Sequence, residues 1–453
     1  MRARIFITLL APLLGLPDLA SGQEPSFYEP MVGNGQQQLV KLAKEQEELF
    51  VRRGVRFNDP ELLDIVNRVG ETIFPVVLDE YINFRVYLIR DPSPIAFSLA
   101  DGQIYIHTGL LARLGDEAQL AAVLAHEAHH VAAHHHILAN SARRKKANIA
   151  GGIAVALNRG ESGQSFPSEF GDQYSTTSYA SLIGGNPQSV FSSNQEIEAD
   201  AASIGLIGRA GHPPAASLQA IASIRQDPEL STPSPLASFT SYDSLTERQG
   251  LLQELVDGLP VQSANATITY DLAALVLRRV IEMTIDDYIR LDRPGTAVAL
   301  IDAMIKNRPD AFLEPEAFLY AAKGDSHLEM GPAPTFDEQL TTMDSKKWGI
   351  LANLTRAEAD AYYLETEQGR ARLAKNLESA AIAYNAAIEL DTNNARAYRG
   401  LGDLHFAKEE FRQSGRNYIK YLKLSPNALD RPIVLQKLQH IKAELSKQKE
   451  TEK

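Results

Sequence analysis

Apolar residues recur at helical spacing over Gln36 to Arg53 and again over Pro60 to Phe74, where Asn58-Asp59-Pro60 supplies a helix-start signal. Both stretches read as covering helices. Phe84-Arg85-Val86-Tyr87-Leu88 alternates with period two and predicts a strand. Ala96 to Leu99 and Ile104 to His107 flank Asp101-Gly102, a dipeptide that favours a tight hairpin turn. The expectation is a small antiparallel sheet. A helix follows from Asp116, whose side chain can cap the first turn, with Gln119 three positions on and Leu120, Val123, Leu124 and Val131 on its apolar face. Ile149 to Leu157 is apolar but far too short to cross a bilayer and predicts a buried helix end. Asn158 to Ser193 is Gly- and Ser-rich without a period, which predicts a long mobile loop. A second helix begins near Asn194, and Pro213-Pro214 closes it.

From about Asp271 the pattern is helical to the end, and the last third repeats itself at a spacing of 34 residues. Leu364 matches Tyr398, Tyr384 matches Tyr418, Ala387 matches Tyr421, and Thr392 precedes Pro426 by the same interval. With Leu401, Gly402 and Ser414 in place, this resembles the tetratricopeptide repeat, a helix-turn-helix unit that stacks into a superhelix. Thr296 to Lys306 and Glu316 to Glu329 are candidates for degenerate repeats, and the charged tail from Ser446 is expected to fray.

The chemistry lies in the helix that starts at Asp116. His126-Glu127-Ala128-His129-His130 is an HExxH sequence, and on a helix its first and last histidines project from one face, so both can reach one tetrahedral zinc. Glu127 then stands beside the open coordination position as general base. Six of the eleven histidines fall between His126 and His136, so a merely His-rich helix could also produce the pattern. Two histidines leave a catalytic zinc short of its third protein ligand. Glu196 is the candidate, because Glu196-Ile197-Glu198-Ala199-Asp200 puts two carboxylates on one helical face, and Asp200 can accept the free ring N–H of a ligand histidine.

Composition narrows the alternatives. Hydrophobic residues make up 44% of the 453 positions and charged residues 23%, as in folded globular chains, and the length suits two domains. Cysteine is absent, which removes disulfides, thiolate nucleophiles and cysteine-bound zinc together. Residues 1–22 read as a secretory signal: Arg2 and Arg4, an apolar run from Ile5 to Leu16, then Ala20-Ser21-Gly22 as cleavage site. Pro12 and Pro17 interrupt the run and disfavour an uncleaved anchor, so no transmembrane segment is expected after signal removal. The net charge of −12 becomes −13 once Arg2, Arg4 and Asp18 leave, which argues against a nucleic-acid partner.

The strand hairpin, His126-Glu127-x-x-His130 and the later Glu196-x-x-x-Asp200 resemble the zinc peptidase family of the heat-shock membrane protease HtpX and the CAAX prenyl endopeptidase. With a signal and C-terminal repeats, the chain looks most like the periplasmic members of that family that act in β-barrel assembly. The resemblance implies an α+β fold: a mainly helical zincin-type metallopeptidase domain with a small antiparallel sheet over 23–265, then an all-α tetratricopeptide-repeat domain over 266–445 and a charged tail over 446–453. It implies one Zn²⁺ held by His126, His130 and Glu196, Glu127 as catalytic base and Asp200 behind the ligands. Ile104, Tyr105, Ile106 and His107 match the family's edge strand, which pairs with substrate main chain. The implied activity is periplasmic endopeptidase and chaperone action on misassembled outer-membrane β-barrel proteins, peripheral to the outer membrane. The repeats would contact substrate or the β-barrel assembly machinery. The competing reading is an autoinhibited or non-proteolytic chaperone that works through its repeats.

Several positions depart from the family pattern. Ile95 stands where Asn often precedes Ala96-Phe97, His129 where Gly is usual, and His134 where Arg is usual. In the predicted loop from Ser241 to Arg248, Tyr242 occupies the position at which relatives carry a histidine that blocks the open zinc site. Tyr242 is expected to serve as a phenolate-type fourth ligand or as a donor to the tetrahedral oxyanion; an ordinary loop tyrosine is the bland alternative. Peptidase assays on Tyr242→Phe separate these: raised activity means a restraint, lost activity a catalytic donor, and unchanged activity eliminates both roles.

Overall fold

The computed structural model describes residues 56–77, 82–136, 193–225, 242–259, 271–306, 317–335 and 355–451, with Phe191 and parts of 41–52. The predicted signal, the apolar Ile149 to Leu157 segment and the predicted loop, apart from Phe191 and Ser193, lie outside the described residues. The chain divides into two compact units, Met1–Ile281 and Glu282–Lys453. No described helix is long and apolar enough to cross a membrane.

In the first unit, α1 (Pro60–Ile73) starts where Asp59 accepts a hydrogen bond from the Leu62 amide and Pro60 fits the first turn. It buries Leu62, Ile65, Val66, Val69 and Ile73. The sheet holds β1 (Arg85–Ile89), β2 (Ala96–Ser98) and β3 (Gln103–His107) in the order β1-β3-β2. β2 and β3 form the expected hairpin around Asp101-Gly102, where Gly102 takes φ +90°, a conformation open to glycine. β1, however, runs parallel to β3, pairing Arg85 with Gln103 through Ile89 with His107. The sheet is therefore mixed, not antiparallel: β3 lies between β1 and β2, which run in opposite directions on its two sides, so it is parallel to one and antiparallel to the other.

This topology also corrects the expected edge strand. Ile104, Tyr105, Ile106 and His107 lie in β3, the middle strand, buried and hydrogen-bonded on both sides. The outer strand that packs against the histidine helix is β2. Aromatic rings fasten the sheet: Tyr105 stacks on Phe97 at 5.1 Å and Tyr87 at 5.3 Å, and the Arg56 guanidinium sits 3.7 Å over Tyr87.

After a single helical turn over Thr108–Leu111, α2 (Glu117–Ala132) begins as predicted, with Asp116 accepting from the Gln119 amide at 2.8 Å. The Gln119 side chain reaches further back and accepts from the Gly115 amide. α3 (Ser193–Arg209), α4 (Ala215–Arg225) and α5 (Tyr242–Asp257) complete the layer around α2. Ala121, Ala125 and Ala128 on α2 and Ala199 on α3 are fully buried, so the two helices can approach closely. α6 (Asp271–Arg290) follows.

The second unit is entirely helical among the described residues: α7 (Pro294–Lys306), α8 (Ala317–Glu329), α9 (Arg356–Leu364), α10 (Glu367–Leu390), α11 (Ala395–Ala407), α12 (Phe411–Leu424) and α13 (Arg431–Thr451). One contact occurs twice in it. Tyr384 of α10 lies over Gly324 and donates to Asp325 at 2.6 Å; Tyr418 of α12 lies over Gly402 and donates to Asp403 at 2.6 Å. The two tyrosines are the pair that the 34-residue spacing aligns.

Gly109 shows how little room the sheet-to-helix junction leaves: a Cβ there would fall 1.9 Å from the Pro92 carbonyl oxygen. Gly109→Ala is expected to destabilise the first unit by roughly 3 kcal/mol. Gly250→Ala, where nothing lies within 4 Å, should not destabilise it, and urea denaturation compares the two.

Candidate metal centre

Helix α2 presents His126 and His130 one turn apart on one face, with their Nε2 atoms 3.0 Å from each other. The first turns of α3 bring Glu196 to them: its carboxylate lies 3.5 Å from His126 Nε2 and 3.8 Å from His130 Nε2. These three donor atoms converge closely enough to hold one metal ion. A tetrahedral zinc with ligands about 2.05 Å away has ligand–ligand edges of about 3.3 Å. The two-imidazole, one-carboxylate donor set fits zinc both in chemistry and in spacing.

Each ring is held from behind. His126 Nδ1 donates to Asp200 Oδ1 at 2.9 Å, and His130 Nδ1 is paired with His135 Nδ1 at 2.8 Å. Phe191 stacks on His130 at 3.9 Å with an interplanar angle of 11°. His134 takes φ 53°, ending α2 in a left-handed turn that folds His135 back toward His130. Glu127 is buried and accepts from Ser98 Oγ of β2 at 2.9 Å through Oε2.

Arg248 of α5 closes the arrangement from the other side. It grips Asp200 bidentately along one guanidinium edge, Nε donating to Oδ2 at 2.6 Å and Nη2 to Oδ1 at 2.8 Å, and its Nη1 stands 3.1 Å from Glu196. The charges follow from these contacts. Burial opposes ionisation of Asp200, yet Arg248 and His126 hold it down at about 2. Glu196 is lowered against the same burial by His126 and Arg248. Burial likewise opposes charge on His126, but Asp200 and Glu196 raise it to about 10, so the pocket favours a cation at this place. His130 is driven well below its ordinary value by burial and by neighbouring histidines, which keeps its ring neutral and its lone pair available. Glu127 is raised, first by burial and then by Glu196.

The structure thus brings His126, Glu127, His130, Glu196 and Asp200 together. Ile104 to His107 are not at an exposed edge. Tyr242 is not in a loop: it opens α5, because its segment runs into a continuous helix that carries Arg248 inward, and its side chain lies outside the described residues. Sequence reasoning missed the roles of Ser98, His135 and Arg248. Nothing local in the sequence marks the Arg248 side chain as facing carboxylates.

An HExxH helix, a second helix bringing a carboxylate to its two histidines and a strand that meets Glu127 make up an arrangement of the kind found in metallopeptidase domains. Residues 64–257 match the model of peptidase family M48. Among curated proteins, the Beta-barrel assembly-enhancing protease of Escherichia coli (strain K12) is 26% identical over 166 residues, 35% of this chain and 32% of that protein. Metalloprotease LoiP of the same strain is 31% identical over 160 residues, 34% of this chain and 54% of that protein. The Mitochondrial metalloendopeptidase OMA1 of Schizosaccharomyces pombe is 40% identical over 70 residues, 16% and 21% of the two chains. The matches span from about a fifth to about half of the length of these relatives.

The Asp200–Arg248 pair makes an acid-stability prediction for the metal-free protein. A carboxylate lowered from 3.8 to about 2 contributes stability that is fully present above the unfolded value and lost as pH falls through the folded one. The contribution is about 2 kcal/mol. Denaturation of wild type and Asp200→Asn at stepped pH should show the mutant less stable at neutral pH. The difference should shrink between about pH 4 and pH 2.

Proposed function

We propose that this chain is a zinc metalloendopeptidase in which His126, His130 and Glu196 hold the metal, Glu127 is the general base and Asp200 orients His126. The observation that carries the reading is the convergence of the three donor atoms beside a buried Glu127 inside the stretch that matches peptidase family M48. Zinc, when bound there, supplies Lewis acidity toward water and the scissile carbonyl.

The chain's own residues do the rest. Glu127 takes a proton from the attacking water on Oε1, the oxygen opposite the one that accepts from Ser98, then delivers it to the departing amine nitrogen. Its raised proton affinity suits both transfers. Asp200 holds the His126 ring by Nδ1, so that Nε2 presents its lone pair to the metal. Arg248 keeps both carboxylates ionised. An extended substrate segment would lie along β2, the outer strand next to α2, adding main-chain hydrogen bonds to a sheet edge.

For the substrate, the likeness to a protein named for β-barrel assembly supports misassembled outer-membrane β-barrel proteins in the periplasm, reached by export through the segment 1–22. The helical unit acts as a tetratricopeptide-type superhelix over 266–445 that engages substrate or the β-barrel assembly machinery. The repeated tyrosine-on-glycine contact supports a repeat architecture for this part. The domain division at 265/266 belongs to this proposal.

Zinc content and digestion of an unfolded β-barrel protein test the reading in wild type and Glu127→Gln. Wild type should contain zinc and cleave, and the mutant should retain zinc with cleavage reduced by at least 10²-fold. Cleavage by neither protein would favour a chaperone that acts through its repeats, and absence of zinc after gentle purification would remove the metallopeptidase reading.

A further inference from the structure

A second group of donors stands beside the first and meets it through the contact of His135 with His130. His129 Nε2 lies 3.4 Å from Glu198 Oε1, and His135 Nε2 lies 3.5 Å from Glu198 Oε2. The two rings are 5.6 Å apart and inclined at 77°, each aimed at a different oxygen of one carboxylate. These separations are long for hydrogen bonds but close to the tetrahedral edge of about 3.3 Å around a zinc-sized ion. The three donor atoms all lie within 4.8 Å of one another, as in the first group. His135 is 2% exposed, whereas His129 and Glu198 are 18% and 29% exposed, so two of the three side chains reach solvent.

We propose that His129, His135 and Glu198 form a second, weaker site for a zinc-class divalent cation, set against the first site through the His130–His135 contact. The proposal rests on the reading of His126, His130 and Glu196 as the first site. Two imidazoles and a carboxylate select ions such as Zn²⁺ and Co²⁺ over Mg²⁺ or Ca²⁺, which prefer all-oxygen surroundings.

The weakness of the second site follows from one shared proton. When His130 binds metal through Nε2, its Nδ1 carries the hydrogen and donates to His135 Nδ1 at 2.8 Å. The remaining hydrogen of neutral His135 is then on Nε2, facing Glu198. A cation at the second site needs that Nε2 lone pair, so the hydrogen must move to His135 Nδ1. Two N–H groups then face each other, and the contact to His130 opens. Filling the second site therefore costs the first site the support of its His130 ligand, and excess zinc should restrain the enzyme from within its own chain.

Equilibrium dialysis of the metal-free full-length chain against Zn²⁺, and titration with Co²⁺ followed by visible absorption, test this. Wild type should bind a tight equivalent and a second one at least tenfold weaker. His129→Ala and Glu198→Gln should each lose only the weak equivalent, and His129→Ala should relieve inhibition by excess zinc. Circular dichroism confirms that each variant is folded. Glu196→Gln should lose the tight equivalent and keep the weak one. Saturation of wild type at one equivalent overturns the second site, as does a weak equivalent that persists in both His129→Ala and Glu198→Gln. A tight equivalent that survives Glu196→Gln overturns instead the assignment of the first site.

Discussion

Glu196 and Asp200 are two carboxylates on one helical face, both withdrawn from water, and left alone they would repel each other and take up protons. Arg248 prevents this by setting one guanidinium against both. A buried charge cluster of this kind is tolerated only when nearly every oxygen and N–H has a partner. Here the partners come from three helices: imidazole from α2, carboxylates from α3 and guanidinium from α5. The spacing of His126, His130 and Glu196 is thereby tied to the packing of the helices that carry them and Arg248.

The parts legible in the sequence were those with local causes. The Asp116 cap, the Gly102 turn and the i, i+4 pairing of His126 with His130 depend on residues within a few positions of one another, and each appears where the pattern placed it. The partnership of Asp200 with His126 was also readable, because HExxH chemistry demands a third ligand and a ring partner. Strand direction was not readable in the same way. Period-two alternation marks a strand but does not say whether its neighbour runs with it or against it, so the parallel pairing of β1 with β3 has no signal in either segment, and the edge position that the family resemblance implies for Ile104 to His107 is not the one the sheet gives them. Ser98 and Arg248 escaped for the same reason: each acts across a long separation in sequence, and a serine in a short strand or an arginine in an amphipathic helix has an ordinary surface explanation.

In the helical unit, the same spacing argument succeeded at one level and fell short at another. The alignment of Tyr384 with Tyr418 has a physical counterpart, since each ring covers a glycine and each hydroxyl meets the aspartate that follows that glycine. The glycine-aspartate pair serving Tyr384 is Gly324-Asp325, far upstream, whereas the pair serving Tyr418 is Gly402-Asp403, just before it in sequence. A constant period cannot reveal this, because 330–366 intervenes between the two helices of the first pair.

The left-handed backbone at His134 carries a wider implication. That residue donates nothing to either group of metal-binding atoms, yet its conformation decides where the chain goes after α2 and thus whether His135 meets His130. Substitution by a branched residue there would alter the hardness with which the inner imidazole is gripped while leaving every donor atom chemically intact. In a lineage that varies at this position, the grip on the inner imidazole drifts independently of His126, Glu127, His130 and Glu196, a degree of freedom that a comparison of those four positions would never detect.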